Sequence, residues 1–219
     1  MRILFNDIIQ NSSAKDNLKS AALSDIEYIT NPLIITFNNP VLINSIGIGN
    51  TNGTFFNVTF NNSEEFHFEF EGNGLYFQKK IIETNQLIIN TDANFIGRIG
   101  AGIACNIPTA IAKEPTFNST NEPRYTLSGQ VISGIGGYNY KSVSLDSRYK
   151  IDEFIMNEIL KGYITISKGF PFFIDLTVES YKLPFKKLYA TERNQLQMGF
   201  ESGVKKYLYS RRFNFEEKF

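Results

Sequence analysis

Apolar and polar residues alternate at every second position through much of the first hundred residues, most densely between residues 33 and 60. Leu33, Ile35 and Phe37 alternate with Ile34 and Thr36. Successive side chains of a strand point to opposite faces, so this spacing predicts a strand with one buried face. Asn38-Asn39-Pro40 interrupts the run and predicts a turn, because proline has no N–H to give a ladder. Leu42, Asn44, Ile46 and Ile48 then alternate with Ile43, Ser45, Gly47 and Gly49. Asn50-Thr51-Asn52-Gly53 predicts a second turn, Asn-Gly being a strong hairpin signal. Phe56, Val58 and Phe60 resume the period of two, which makes three strands and two turns.

The flanking segments extend the pattern. Residues 2–10 predict an opening strand with Ile3, Phe5 and Ile8 on the core side. Residues 11–20 are polar and predict a loop, and residues 21–30 fit either a short helical turn or an extended approach. In residues 64–71, Phe66, Phe68 and Phe70 alternate with Glu65, His67, Glu69 and Glu71, the pattern of a half-buried strand with one charged face. Residues 75–82, 86–90 and 95–104 predict further strands, the last of them rich in glycine. About eight short strands at regular spacing predict a β-sandwich or jelly roll over residues 1–106.

Residues 107–122 contain Pro108, Pro115 and a Thr/Asn/Ser cluster without sustained period, and predict a linker. Residues 123–219 predict a second domain. Strands are expected at 125–133 and 138–145, separated by a turn at Gly134, Gly136 and Gly137. A helix is expected over residues 148–161, because Ile151, Phe154, Ile155 and Ile159 fall on one stripe, Asp146-Ser147 offers a cap and Gly162 a stop. Residues 163–167, 171–178, 188–191, 195–201 and 206–215 return to strand. The expected fold class is therefore mainly β, a jelly-roll sandwich followed by a barrel or sandwich with one packed helix.

Composition narrows the function. The 219 residues carry 22 Lys+Arg and 22 Asp+Glu, and a net charge of zero argues against nucleic acid as a main ligand. One cysteine, Cys105, excludes an intrachain disulfide. Asp7 interrupts the N-terminal apolar stretch, so no signal peptide is read there, and no run reaches the roughly 20 apolar residues of a membrane helix. These features predict a soluble chain made in a reducing cytoplasm.

No catalytic constellation emerges. His67, the one histidine, sits in the charged face of an alternating strand and has no nucleophile or acid placed beside it by spacing. Cys105 follows an apolar run and reads as a small core residue. Glu64, Glu65, Glu69 and Glu71 read as a solvated face rather than a glycosidase pair. The loops at Asn50–Asn52 and Asp92–Asn94 have no EF-hand spacing for calcium. Ser133-Gly134-Ile135-Gly136-Gly137 lacks the Lys-Ser/Thr of a phosphate loop. No enzyme, cofactor or metal is expected. Lys205-Lys206 and Arg211-Arg212 form the one basic cluster, offset by Glu216 and Glu217.

With its strand, Pro40, the run Ile43 to Gly53 and the aromatic strand after it, the first half, from about Arg2 to Cys105, resembles the discoidin-like, galactose-binding-like jelly roll. It departs from that family in having Leu33 where a tryptophan is common and in lacking the terminal disulfide. The whole chain resembles bacteriophage tail structural proteins in which such a domain precedes a tail-tube-like β-barrel. The stretches behind this are Ile43 to Gly53, Ile96 to Gly102, Leu127 to Gly134, Lys168 to Leu176 and the C-terminal RRFNFEEKF. The resemblance implies a non-enzymatic virion component of a tail, tail tip or baseplate. Its partners would be copies of itself in a ring and other tail proteins, with no membrane partner. Tyr207, Tyr209, Arg211 and Arg212, on an expected edge strand, are the assembly candidates. The alternative is a module binding host-surface glycans through Asn50, Asn52, Phe55 and Arg98, with Phe56 beside them.

Overall fold

The computed structural model describes residues 2–4, 6–20, 22, 24–60, 65–69, 74–107, 110–119, 124–125, 131–132, 139–151, 157, 172–176, 187–192 and 207–217. The chain is mainly β, as its alternation predicts. The strands are β1 (Arg2–Ile3), β2 (Glu27–Tyr28), β3 (Leu33–Thr51), β4 (Phe55–Phe60), β5 (Glu65–Glu69), β6 (Gly74–Thr91), β7 (Phe95–Gly102) and β8 (Cys105–Asn106). They continue with β9 (Ala110–Ser119), β10 (Arg124–Tyr125), β11 (Val131–Ile132), β12 (Asn139–Ile151), β13 (Phe172–Asp175), β14 (Lys187–Glu192) and β15 (Tyr207–Glu217). One sheet runs β2-β7-β3-β6-β4-β5, the other β8-β1-β13-β14-β15-β12-β9, and β10 and β11 form a ribbon. The strand pairs in all three are antiparallel.

The turn expected at Asn38-Asn39-Pro40 is a bulge inside one long strand. Thr36 pairs with Gln86 and Val41 with Thr84, so four residues of β3 face Asn85 alone. A bulge needs no ladder donor from Pro40, which is why the strand survives it. Further along, Ile43 pairs with Ile82 and Ser45 with Phe77, so four residues of β6 face Asn44 alone. The second bulge cancels the first and restores the original register. It also joins the strands expected at 75–82 and 86–90 into one.

The two bulges interrupt the β3–β6 ladder without breaking either strand, and one face of the sheet is apolar. Ile35, Phe37, Ile43, Ile46, Ile48, Phe56, Val58, Phe60, Leu87, Ile89, Ile96 and Ile99 are buried in one core. The opening strand ends at Ile3, and residues Ile8–Asn11 form a 3-10 turn followed by a short helix, α1 (Asp16–Lys19). This segment covers the gap where the first half of β3 diverges from β7. Ile9 and Leu18 enter the core. Ser13 N–H donates to Thr36 O at 2.8 Å, and Thr36 N–H donates to Ser13 Oγ at 2.8 Å.

β1 does not join the first sheet. It lies between β8 and β13, with Ile3 opposite Cys105 on one side and Ile174 on the other. Five consecutive residues, Phe172 to Leu176, are buried, and β13 lies inside its sheet between β1 and β14. Phe173 packs with Leu4, Leu75 and Ala104 against the outer face of the first sheet, and Phe77 borders them.

Three expectations for the second half need correction. The stretch expected as a linker carries β9, whose Ser119 to Ala110 pair with Asn139 to Asp146 of β12 through two irregularities. The helix expected over 148–161 cannot start at 148, since Arg148 to Ile151 continue β12 opposite Ser210 to Tyr207. Of residues 152–161 only Asn157 is described, and it is helical. Tyr149 and Ile151 suit a strand as well as a helix, and a ten-residue ladder with β15 decides between them. The strand expected as an edge at 206–215 is paired with β12 from Tyr207 to Glu216, and with β14 on its other side at Phe215 to Glu217. The strands expected at 163–167 and 195–201, and the glycine turn at 134–137, lie outside the described residues.

Candidate functional site

The glycan candidates fall near the turn between β3 and β4. Asn50 has a φ of 48°, a left-handed conformation that asparagine tolerates better than most residues. Beyond it, two turns hold each other. Asn52 Oδ1 accepts from Asn94 N–H at 2.9 Å and Phe95 N–H at 3.4 Å. In return, Asp92 Oδ1 accepts from Thr54 N–H and Phe55 N–H, both at 2.9 Å, and Asp92 Oδ2 from the Thr54 hydroxyl at 2.8 Å. The Phe55 backbone N–H, followed by the Thr54 hydroxyl, holds the Asp92 carboxyl below the ordinary carboxylate range. Asn50 and Phe55 are half-buried and Asn52 is exposed.

Arg98 is not at this rim. It is only 5 % exposed. One guanidinium nitrogen, Nη2, binds the Asp7 carboxylate, and the other, Nη1, donates to Leu18 O at 3.4 Å. Asp7 Oδ1 also accepts from Ile9 N–H and Ala101 N–H, each at 3.0 Å. One carboxylate therefore fastens the 3-10 turn, β7 and Arg98 together. Burial pushes the Asp7 carboxyl above its ordinary value, against the opposing pull of Arg98 and the backbone donors. Leu18 O and Asp7 use Arg98 as a bracket inside the fold, so its charge is not presented to a ligand.

The seam between the sheets holds a second charged group. Arg2 Nη1 lies 3.4 Å from Asp175 Oδ2, and the Arg2 guanidinium carbon sits 4.2 Å from the centre of the Phe77 ring. Asp175 is 3 % exposed. Tyr76 precedes Phe77 on β6. Burial, reinforced by the Asp175 charge, raises its hydroxyl well above the ordinary tyrosine value.

The assembly candidates stand in register with β12: Tyr207 opposite Ile151, Tyr209 opposite Tyr149, Arg211 opposite Ser147 and Arg212 opposite Asp146. That side of β15 is occupied along all four. His67 stands opposite Asn57 in the β4–β5 pairing, and Cys105 is buried in β8. Among the described residues no three His, Cys, Asp or Glu side chains group as metal ligands. No described helix is long and apolar enough to cross a membrane.

Sequence spacing missed Asp7 and the role of Asp92. Asp7 carries a faint signal, an acidic residue inside the apolar run Ile3 to Ile9, which suggests a buried partner without naming Arg98. A comparison with family models, curated proteins and solved structures finds no match for this chain.

Proposed function

We propose that this chain is a non-enzymatic structural subunit of a phage tail, tail tip or baseplate, made in the host cytoplasm and built into the virion. Its partners are copies of itself, arranged as a ring, and neighbouring tail proteins. In this reading the first sheet is the body of a jelly roll and the second that of a tail-tube-like domain that makes the ring contacts. The observation that carries it is the internal use of the polar groups expected to bind a ligand. Arg98 is spent on Asp7 and Leu18, Asn52 on Asn94 and Phe95, and Asp92 on Thr54 and Phe55. Such groups stiffen a scaffold and leave recognition to its surfaces. The resemblance in residues 43–53 and 96–102 to tail proteins supports that identity for the scaffold.

Light scattering of the purified full chain, followed by negative-stain imaging, tests the proposal. Rings, or a mass that climbs with concentration, support it. A strict monomer at high concentration that binds a glycan array, and loses binding on Asn52→Ala, overturns it in favour of a host-glycan module. The exposed position of Asn52 keeps that second reading testable.

A further inference from the structure

Asn52 and Gly53 are both required by the local geometry, and together they are chemically labile. Asn52 is required because its side-chain oxygen takes the Asn94 and Phe95 N–H groups. Gly53 is required because a Cβ there would lie 2.6 Å from Ala93 Cβ and 3.0 Å from Thr91 Oγ1. An Asn-Gly pair is the dipeptide most prone to deamidation. The backbone nitrogen of the glycine, unshielded by any Cβ, attacks the side-chain amide carbon of the asparagine. A C–N bond forms, the side-chain amide leaves as ammonia, and the succinimide takes up water to give aspartate or isoaspartate.

We infer that Asn52-Gly53 is a modification site that the fold holds closed, and that Thr51 is the residue that closes it. Gly53 N–H donates to Thr51 Oγ1 at 3.1 Å, and the Thr51 hydroxyl is itself oriented by donating to Phe95 O at 2.9 Å. The attacking nitrogen must lose its proton and turn toward Asn52 Cγ. Its hydrogen bond to Thr51 opposes both. The two bonds to Asn52 Oδ1 fix the other reactant, because the amide cannot rotate into line without releasing Asn94 and Phe95. The modified product would carry a negative charge close to Asp92, and in the isoaspartate form an extra backbone carbon. Both changes undo the mutual capping of the two turns.

The test is mass spectrometry of the peptide spanning Asn52-Gly53 during prolonged incubation of the full chain in mildly alkaline buffer. Four samples are compared: folded wild type, wild type in denaturant, folded Thr51→Val and folded Thr51→Ser. Circular dichroism and amide exchange at β4 and β7 verify folding. Conversion is expected to be slow in folded wild type and fast in denaturant. Thr51→Val is expected to convert roughly two- to tenfold faster than wild type, the factor that one hydrogen bond of ordinary net strength is worth. Thr51→Ser, which keeps the hydroxyl, is expected to stay close to wild type. Equal rates for folded and denatured wild type would overturn the inference. So would a Thr51→Val rate no higher than that of wild type. If Thr51→Val fails to fold, Thr51→Ala, which also removes the hydroxyl, decides: faster conversion than wild type upholds the inference, and an unchanged rate overturns it.

Discussion

The ring of Phe173 lies where a side chain on Gly47 would have to be: a Cβ at Gly47 would stand 2.3 Å from Phe173 Cδ2. Gly100, opposite Gly47 on β7, has the same neighbour, with a Cβ position 3.0 Å from the same ring atom. Two bare backbones side by side thus make a flat seat for one aromatic ring from the other sheet. Gly47→Ala is expected to cost about 1–3 kcal/mol through overpacking. Phe173→Ala is expected to cost about 3–5 kcal/mol through the cavity it leaves. Urea unfolding of the single and double variants checks the relationship, since the Gly47→Ala cost should nearly vanish once the ring is gone. An unchanged cost would mean that the ring is not what excludes the methyl group.

Arg98→Met should destabilise more than its exposure suggests. It strands the Asp7 carboxylate in the interior, and removing one partner of a buried pair costs about 3–5 kcal/mol. Asp7 should then titrate still higher than in the wild type. The proton uptake should be visible as a steeper loss of stability with rising pH, because a raised carboxyl pKa contributes stability at low pH that disappears as the group ionises. Unfolding curves at several pH values measure both effects.

The raised Tyr76 hydroxyl gives an alkaline counterpart. The folded state holds this proton more tightly than the unfolded chain does. The contribution is therefore complete below the ordinary tyrosine value near ~10 and is lost as pH climbs beyond it. Thermal unfolding of wild type and Tyr76→Phe across the alkaline range should show the two converging as pH rises. Parallel curves would place the alkaline loss on other tyrosines.

Asp92 works in the opposite direction. Its carboxyl is held low by Phe55 and Thr54, so its stabilising effect is present above the ordinary aspartate value near ~3.9 and fades as pH falls through its lower folded value. Asp92→Ala should lower Tm at neutral pH and flatten that acid dependence. Asp92→Asn, which keeps an oxygen acceptor, should retain more of the wild-type Tm than Asp92→Ala.

Much of the first sheet is legible in sequence because period-two patterning is local. Ile35, Phe37, Phe56, Val58 and Phe60 are buried where alternation places them, and Ile34 is exposed. The bends were less legible. Asn38-Asn39-Pro40 has the chemistry of a turn, and only the partner strand, with its matching excess at residues 78–81, makes it a bulge. Residues 148–151 carry a helical stripe and strand-forming side chains at once, and the ladder that decides comes from residues 207–210. Arg98 looked like a rim charge because its partner Asp7 lies 91 positions earlier, beyond any periodicity. The same distance hid the seat for Phe173, which reads in the sequence only as two glycine-rich runs.

The placement of β1 sets an order on synthesis. Every strand of the first sheet lies before Cys105 in the chain, so that sheet is synthesised in full well before β13. Arg2 and Ile3 cannot settle between both neighbours until Asp175 has followed. At roughly 5–20 residues per second, that leaves β1 waiting for several seconds beside a half-built molecule. During that interval its backbone donors and acceptors can pair on one side only, with β8. β1, which precedes the whole first sheet in the chain, is thus locked only after that sheet, when β13 closes on it.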